Sequence, residues 1–176
     1  RIDSSSAGFT MTGGGVVSNT AAHGAGIYLD AGDVTLLGGQ IKENVAENEG
    51  AGIYVGGNSG AVTLSGVELR DNTAGTSGGG LYSDASAVSM TAGQVISNYA
   101  GVTGGGIYVA SGVLTMSDGR LNYNTADVSA NGRGGGLYVA AGTVSLRDMV
   151  VAGNRVGSQG GGVFCKIGII MSLSFP

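Results

Sequence analysis

The sequence predicts an all-β fold, a single-stranded parallel β-helix with three short strands in each coil. Two signatures and one strand-like segment recur together in six copies, at a period of about 26 residues. Self-similarity at such a period is typical of solenoids, in which each unit buries its apolar face against its neighbours. Three strands within about 25 to 30 residues match the size of one coil.

The first element is a short strand that ends at an asparagine, with an aliphatic residue three positions before it. The six copies are Val16/Asn19, Ile41/Asn44, Leu69/Asn72, Val95/Asn98, Leu121/Asn124 and Val151/Asn154. Identical amides that stack at a strand end can hydrogen-bond from coil to coil, so we expect a structural asparagine ladder.

The second element is a glycine triplet, in two copies with a central alanine, that runs into an aliphatic–aromatic pair. The pairs are Ile27-Tyr28, Ile53-Tyr54, Leu81-Tyr82, Ile107-Tyr108, Leu137-Tyr138 and Val163-Phe164. Strand alternation places the aliphatic residues inward and the aromatic residues outward. We expect the tyrosines to form a surface ladder, which either stabilises the rod by stacking or serves as a candidate stripe for binding a sugar or a partner chain.

The third element alternates an apolar, a hydroxyl and an apolar residue, which is the period of a strand. Its copies are Phe9–Met11, Val34–Leu36, Val62–Leu64, Val88–Met90, Leu114–Met116, Val144–Leu146 and Met171–Leu173. The outward hydroxyls form a candidate face, which consists of Thr10, Thr12, Thr63, Ser65, Ser89, Thr91, Thr115 and Ser117. A double row of hydroxyls on a solenoid suits ice binding, although Leu37 and Arg147 interrupt it and Thr is simply a good outward strand residue.

The chain is interpreted as one domain over residues 1–176, with repeats at 9–33, 34–61, 62–87, 88–112, 113–143 and 144–168 and a partial coil at 169–176. It opens at Arg1 and ends on an apolar segment without a polar cap, so we expect a fragment of a longer chain. Uncapped coils present unpaired strand edges, and the fragment is therefore expected to associate end to end.

Composition narrows the classes of partner. Charged residues make up 11% of the chain and the net charge is −4, so nucleic acid is a poor partner. No apolar run approaches the roughly 18 residues of a membrane span. The single cysteine, Cys165, rules out an internal disulfide and is expected to be a core side chain.

The repeats resemble those of the polymorphic outer membrane proteins, a family of autotransporter-type surface adhesins. That family repeats Phe-x-x-Asn and Gly-Gly-Ala-aliphatic motifs, and here Val16-x-x-Asn19 and Gly104-Gly105-Gly106-Ile107 stand in their places. The resemblance spans residues 9–165. It implies a right-handed β-helix passenger that is displayed on the cell surface and attaches to a protein or glycan of a host or neighbouring cell.

Few residues are candidates for chemistry, and we expect no catalytic residue, no cofactor and no metal site. His23 is interpreted as a solvated loop residue. Glu43 and Asp71 on adjacent coils, like Asp118 and Asp148, are expected about 5 Å apart, which suits a glycosidase pair or calcium. The flanking Lys42, Arg70, Arg120 and Arg147 favour charge-balanced turns instead.

Three functional hypotheses remain open on the sequence alone. The first is a non-enzymatic surface module, and the second is a carbohydrate-active enzyme fragment that uses one of the acid pairs. The third is an ice-binding solenoid. The longest insertion, Asp127–Arg133, is a further candidate binding loop, because insertions in solenoids map to loops on the binding face.

Overall fold

The computed structural model describes residues 8–84, 86–129, 131–166 and 170–174, with the backbone alone at 58, 86 and 170–174. Its described residues form strands and no helix, and parallel pairing stacks them into a β-solenoid of about six turns. The predicted fold class is therefore confirmed, with three parallel sheets that run along the axis. Among these residues no helix is long and apolar enough to cross a membrane.

Sheet A is the largest and contains two of the three predicted elements. Its strands are Phe9–Met11, Ile27–Leu37, Ile53–Ser65, Leu81–Ser83, Ser86–Thr91, Ile107–Val109, Gly112–Ser117, Leu137–Val139, Thr143–Arg147, Val163–Cys165 and Ile170–Ser174. The aromatic element and the hydroxyl element run as one continuous strand in Ile27–Leu37 and Ile53–Ser65, and as two strands in later coils. The backbone of the seventh hydroxyl copy pairs in register with Val144–Leu146, while its side chains lie outside the described set.

Sheets B and C lie on either side of the asparagine corner. Sheet B comprises Gly15–Val17, Gln40–Lys42, Glu68–Arg70, Gln94–Ile96, Arg120–Asn122 and Val150–Ala152. Sheet C comprises the two-residue strands Thr20–Ala21, Val45–Ala46, Thr73–Ala74, Tyr99–Ala100 and Thr125–Ala126. The sequence signatures do not single out sheet C, because two residues are too short to display an alternation.

The core follows the predicted inward columns. Ile53, Leu81, Ile107 and Leu137 lie on equivalent positions of successive coils, and each has 0% of its surface exposed. Cys165 belongs to the next inward column, where it is half-buried and packs against the core. Burial raises the pKa of the Cys165 thiol.

Each coil turns at its corners through residues in the left-handed conformation. The first glycine of every triplet has a φ of 54–70°, and a side chain at Gly104 would place its Cβ 2.5 Å from the carbonyl oxygen of Ile107. At the second corner the left-handed residue is the one before each asparagine, for example Glu43 and Asp71 with φ of 58° and 55°. Five of these six residues carry side chains, which their solvent-exposed corner accommodates, and the sixth is Gly153.

Candidate functional site

The asparagines form a continuous hydrogen-bonded ladder along the solenoid. From the second rung onward, each Oδ1 atom accepts bonds from the backbone N–H and the Nδ2 of the asparagine one coil earlier, at 2.9–3.1 Å. The Nδ2 of these rungs also donates to the backbone carbonyl of the aliphatic signature residue on the preceding coil, as Asn98 does to Leu69 at 2.9 Å. One central amide therefore joins three consecutive coils.

Burial makes the middle of this ladder a structural element. Asn44, Asn72, Asn98 and Asn124 are at most 1% exposed. Buried amides are stable only when their donors and acceptors are satisfied, and here the stack satisfies them. No side chain of the buried rungs is available to an external ligand.

The two end rungs, Asn19 and Asn154, belong to the predicted ladder but are less buried than its middle rungs. Asn154 accepts both bonds from Asn124, at 2.9 and 3.0 Å, and donates to the Leu121 carbonyl at 2.7 Å, so it belongs to the ladder. It is nevertheless half-buried, and Asn19 is exposed. Burial of a rung requires a coil on each side, and among the described residues each of these two has a single neighbouring rung. Four of the six rungs of the ladder are therefore fully buried.

The tyrosines form a second ladder on sheet A. Parallel register places Tyr28, Tyr54, Tyr82, Tyr108 and Tyr138 on equivalent positions, with Phe164 as the sixth rung. Neighbouring tyrosine centroids are 4.8–5.1 Å apart with interplanar angles of 2–5°. The last pair, Tyr138 and Phe164, has centroids 5.2 Å apart at 13°.

This geometry limits how the stripe can bind a ligand. Each internal ring is covered on both faces by its neighbours, so only ring edges and hydroxyl groups are presented to solvent. A sugar ring cannot stack on an internal tyrosine without displacing another rung. Any ligand would therefore meet a row of phenol edges spaced by one coil.

Tyr138 corrects the surface prediction at one rung. Tyr28, Tyr54, Tyr82 and Tyr108 are half-buried, but only 4% of Tyr138 is exposed. Strand alternation sets the direction of a side chain but not what stands beside it. The accessible part of the stripe consequently comprises four tyrosines and not five.

Burial and negative charge act together on the central phenols. Desolvation is the largest cause that raises the pKa of Tyr54, Tyr82 and Tyr108 above the ordinary value of 10.0. Neighbouring tyrosines and the carboxylates of Asp84 and Glu49 raise it further. These three phenols therefore hold their protons to a higher pH than an ordinary tyrosine does.

A polar column borders the tyrosine ladder, formed by the residues that directly precede each glycine triplet. His23 Nδ1 lies 2.6 Å from Glu49 Oε2, an electrostatic contact outside hydrogen-bond geometry, and the His23 ring meets Tyr54 edge-on at 5.8 Å. Further along, Ser77 and Thr103 hydroxyls are 2.9 Å apart. His23 is thus more than a solvated loop residue. His23 and Glu49 occupy equivalent positions in adjacent repeats, and this equivalence was the sequence signal for their contact.

The hydroxyl face is regular over three coils. Thr63 and Ser65, Ser89 and Thr91, and Thr115 and Ser117 pair in register, with Ser65 and Ser117 half-buried and the other four exposed. On the first coil Thr10 and Thr12 are also exposed, but Thr12 lies beyond the end of its strand. On the second coil Leu37, which is 46% exposed, interrupts the row of hydroxyls. Arg147 follows Ser117 in the same column and interrupts the row on the other side.

The candidate acid pairs stand on exposed or partly exposed corners, where Glu43, Asp71 and Asp148 each contact a cation. Glu43 Oε1 lies 3.4 Å from Lys42 Nζ, and Asp71 Oδ2 lies 2.8 Å from Arg70 Nη1. Asp148 Oδ2 is 3.8 Å from Arg147 Nε. Within the described residues no group of three or more histidine, cysteine or acidic side chains could hold a metal ion.

The insertion Asp127–Arg133 is held at both ends. The Asp127 carboxylate accepts bonds from the hydroxyl and the backbone N–H of Ser129, and these bonds lower its pKa. At the other end the Arg133 guanidinium lies 5.6 Å from the Phe164 ring centroid. Residue 130 lies outside the described part of this loop.

Comparison with known proteins adds no relative to this geometry. No protein-family model, curated protein or solved structure matches the chain.

Proposed function

We propose that this chain is a non-enzymatic β-helix module of a surface or extracellular protein, either an adhesin-like passenger or a structural segment of a cell envelope. The observation that carries the proposal is the half-buried tyrosine ladder, which repeats one chemical group at one spacing over successive coils. A repeated edge of this kind suits contact with an extended partner, such as a glycan or a protein on another cell.

The charge distribution supports a binding or structural role over catalysis. Three of the four acids that the sequence pairs across coils, Glu43, Asp71 and Asp148, contact a cation of their own coil. The resemblance of the repeats to those of polymorphic outer membrane proteins supports a location outside the cell. Recognition by the ladder would rely on phenol hydroxyls and on the bordering polar column, because the ring faces are occupied by stacking.

Binding to immobilised cell-surface glycans and to whole cells tests this proposal. Tyr54→Phe/Tyr82→Phe/Tyr108→Phe removes three hydroxyls and retains the stack, and should weaken binding about tenfold or more, since each lost hydrogen bond costs about 1 kcal/mol. Tyr99→Phe/Tyr123→Phe is the matched control, because both residues are exposed and lie off the ladder. Unchanged binding by the ladder variant would contradict the adhesin role.

The hydroxyl face supplies a second candidate, ice binding. Its two in-register columns over three coils are the observation in favour. Ice binding would be supported if the parent chain shows thermal hysteresis that Thr91→Lys on the central coil abolishes. The absence of thermal hysteresis in the parent chain would rule out this candidate.

A carbohydrate-active β-helix enzyme is the third candidate, with Glu43/Asp71 or Asp118/Asp148 as the acid pair. Glu43 and Asp71 occupy equivalent left-handed corners of adjacent coils, which favours their proximity. Polysaccharide hydrolysis that is lost on Glu43→Gln would support this candidate and contradict the non-enzymatic proposal.

A further inference from the structure

The tyrosine ladder brings four pairs of phenols into direct contact. Tyr28–Tyr54, Tyr54–Tyr82, Tyr82–Tyr108 and Tyr108–Tyr138 are each stacked with centroids 4.8–5.1 Å apart. The rings are nearly parallel and their strands are in register. Corresponding ring carbons of two neighbouring rungs are therefore separated by about the same distance as the ring centroids. The carbons beside the hydroxyl group are on the ring edge, which is the part that the stack leaves accessible.

We propose that this ladder is a site of oxidative cross-linking, at which a peroxidase-type oxidant joins tyrosines of adjacent coils through a carbon–carbon bond. Each phenol gives up one electron and one proton to become a phenoxyl radical. Two radicals combine through the carbons ortho to oxygen, and the two hydrogens on those carbons leave as the rings regain aromaticity and the oxygens regain protons. Overall two tyrosines lose two hydrogen atoms, and one hydrogen peroxide is reduced to two waters.

Stacking favours this step in two ways. A radical formed on an accessible rung has a second phenol already in contact, so coupling needs no encounter between molecules. The register also restricts each ring to partners on the adjacent coils. Tyr138 is 4% exposed and is expected to react only through Tyr108.

The two remaining tyrosines supply an internal contrast. Tyr99 is paired in sheet C with Thr73 and Thr125, so no phenol stands on the coils directly beside it in its column. Tyr123 is 64% exposed, and Ser97 and Gly153 occupy the equivalent positions before the adjacent asparagines. Both can react with other molecules but have no in-register partner. Cross-links within one chain should therefore map to the ladder alone.

A bond of this kind would fasten one coil to the next. The linked residues are separated by one repeat in sequence, so the cross-link closes a loop of 26 residues between Tyr28 and Tyr54. Such a loop restricts the unfolded chain in the same manner as a disulfide, and it does so in a protein with one cysteine.

The test is oxidation of the intact chain by peroxidase and hydrogen peroxide at low protein concentration. We expect blue biphenol fluorescence, a chain that remains monomeric on a denaturing gel, and peptides of adjacent coils joined with the loss of two hydrogens. Tyr99→Phe/Tyr123→Phe should retain the product. No biphenol in the parent, or links that map to Tyr99 or Tyr123 or only between chains, would overturn the proposal.

A second pair of variants tests the requirement for adjacent phenols. Tyr54→Phe/Tyr108→Phe keeps six stacked rings but leaves the tyrosines two coils apart, about 10 Å, and should reduce the intramolecular product at least about tenfold. Phe164→Tyr gives Tyr138 a second phenol partner and should add one new linked pair of peptides. An undiminished yield of intramolecular product in Tyr54→Phe/Tyr108→Phe would overturn the proposal. So would a Phe164→Tyr chain that forms the cross-links of the parent but no new linked pair of peptides. Circular dichroism of each variant before oxidation establishes that the fold is retained.

Discussion

The asparagine ladder and the tyrosine ladder have the same periodicity but different environments. Asn44, Asn72, Asn98 and Asn124 are buried and bonded on both sides, whereas the tyrosines, apart from Tyr138, are half-buried and interact through ring faces. The amide bonds are directional and solvent cannot replace them. Ring stacking is less directional and tolerates local change. Repetition in sequence therefore identifies a column, but the environment determines what the column does.

Local geometry explains why the two columns face opposite ways. The residue before each asparagine adopts a left-handed conformation, for example φ of 55° at Ser97, and the chain turns there with the amide directed inward. The tyrosines lie within straight strands between two inward residues, such as Leu81 and Ser83 around Tyr82. Alternation then directs each ring outward.

Removing a central amide of the asparagine ladder should cause the largest loss in the free energy of unfolding. In Asn98→Leu the Leu69 carbonyl and the Asn72 amide groups lose their partner inside the solenoid. Unsatisfied buried groups cost about 1–3 kcal/mol each, so we expect the free energy of unfolding to fall by about 4 kcal/mol in urea titrations. Asn19→Ala, on the exposed first rung, is the matched control and should cost about 1 kcal/mol or less. Equal losses in the two variants would mean that burial does not distinguish the rungs.

Truncation of a ladder tyrosine should lower the free energy of unfolding by less than the loss of a central amide. The size of the loss should depend on how deeply the ring is buried. Tyr82→Ala removes two stacking contacts at a half-buried position, and we expect a loss of about 2 kcal/mol. Tyr138→Ala empties a buried position and should cost about 3 kcal/mol or more. Thermal melts and urea titrations of the two variants compare their losses of stability. A larger loss for Tyr82→Ala would contradict the difference in burial within the ladder.

Alkaline pH should weaken the tyrosine ladder and leave the asparagine ladder unaffected. The raised pKa of Tyr54, Tyr82 and Tyr108 means that the folded chain holds these protons more tightly than the unfolded chain. Their contribution to stability is fully present below the ordinary pKa of 10.0 and is lost as pH rises through the raised values. Partial exposure screens the effect, so we expect it to be smaller than that of Tyr82→Ala.

Urea titrations between about pH 8 and 11 measure the onset of this loss, which begins near the ordinary pKa of tyrosine. The triple variant Tyr54→Phe/Tyr82→Phe/Tyr108→Phe retains the rings without the titrating groups, and its stability should decline less over the same range. The same decline in parent and variant would assign the alkaline loss to other residues.

Much of the fold could be predicted because a strand reveals its inward face by alternation. Ile53 and Leu64 were each assigned inward from their own short segments, and each is 0% exposed. Sheet C escaped prediction because Thr73–Ala74 is too short to show a period. The union of two strands in Ile53–Ser65 also escaped, because glycines at 56, 57 and 60 indicate a turn in the sequence although the backbone there pairs as strand.

The site was less predictable because it depends on neighbours from other coils. The column of tyrosines was evident from the repeat, but the covered ring faces and the burial of Tyr138 depend on how adjacent coils stack. The asparagine column was equally evident, yet the half-buried state of Asn154 depends on which coils stand beside it. The contact between His23 and Glu49 likewise joins residues on different coils.

The sequence by itself determined the repeat, the parallel β-helix and the identity of each column, because these follow from a period that every coil obeys. Only the tertiary structure decided which rungs are accessible, which carboxylates contact cations and which phenols touch. Those properties depend on distances between side chains that are one coil apart in space and about 26 residues apart in the chain. A periodic pattern fixes the position of a residue within its coil, whereas packing between coils fixes its environment.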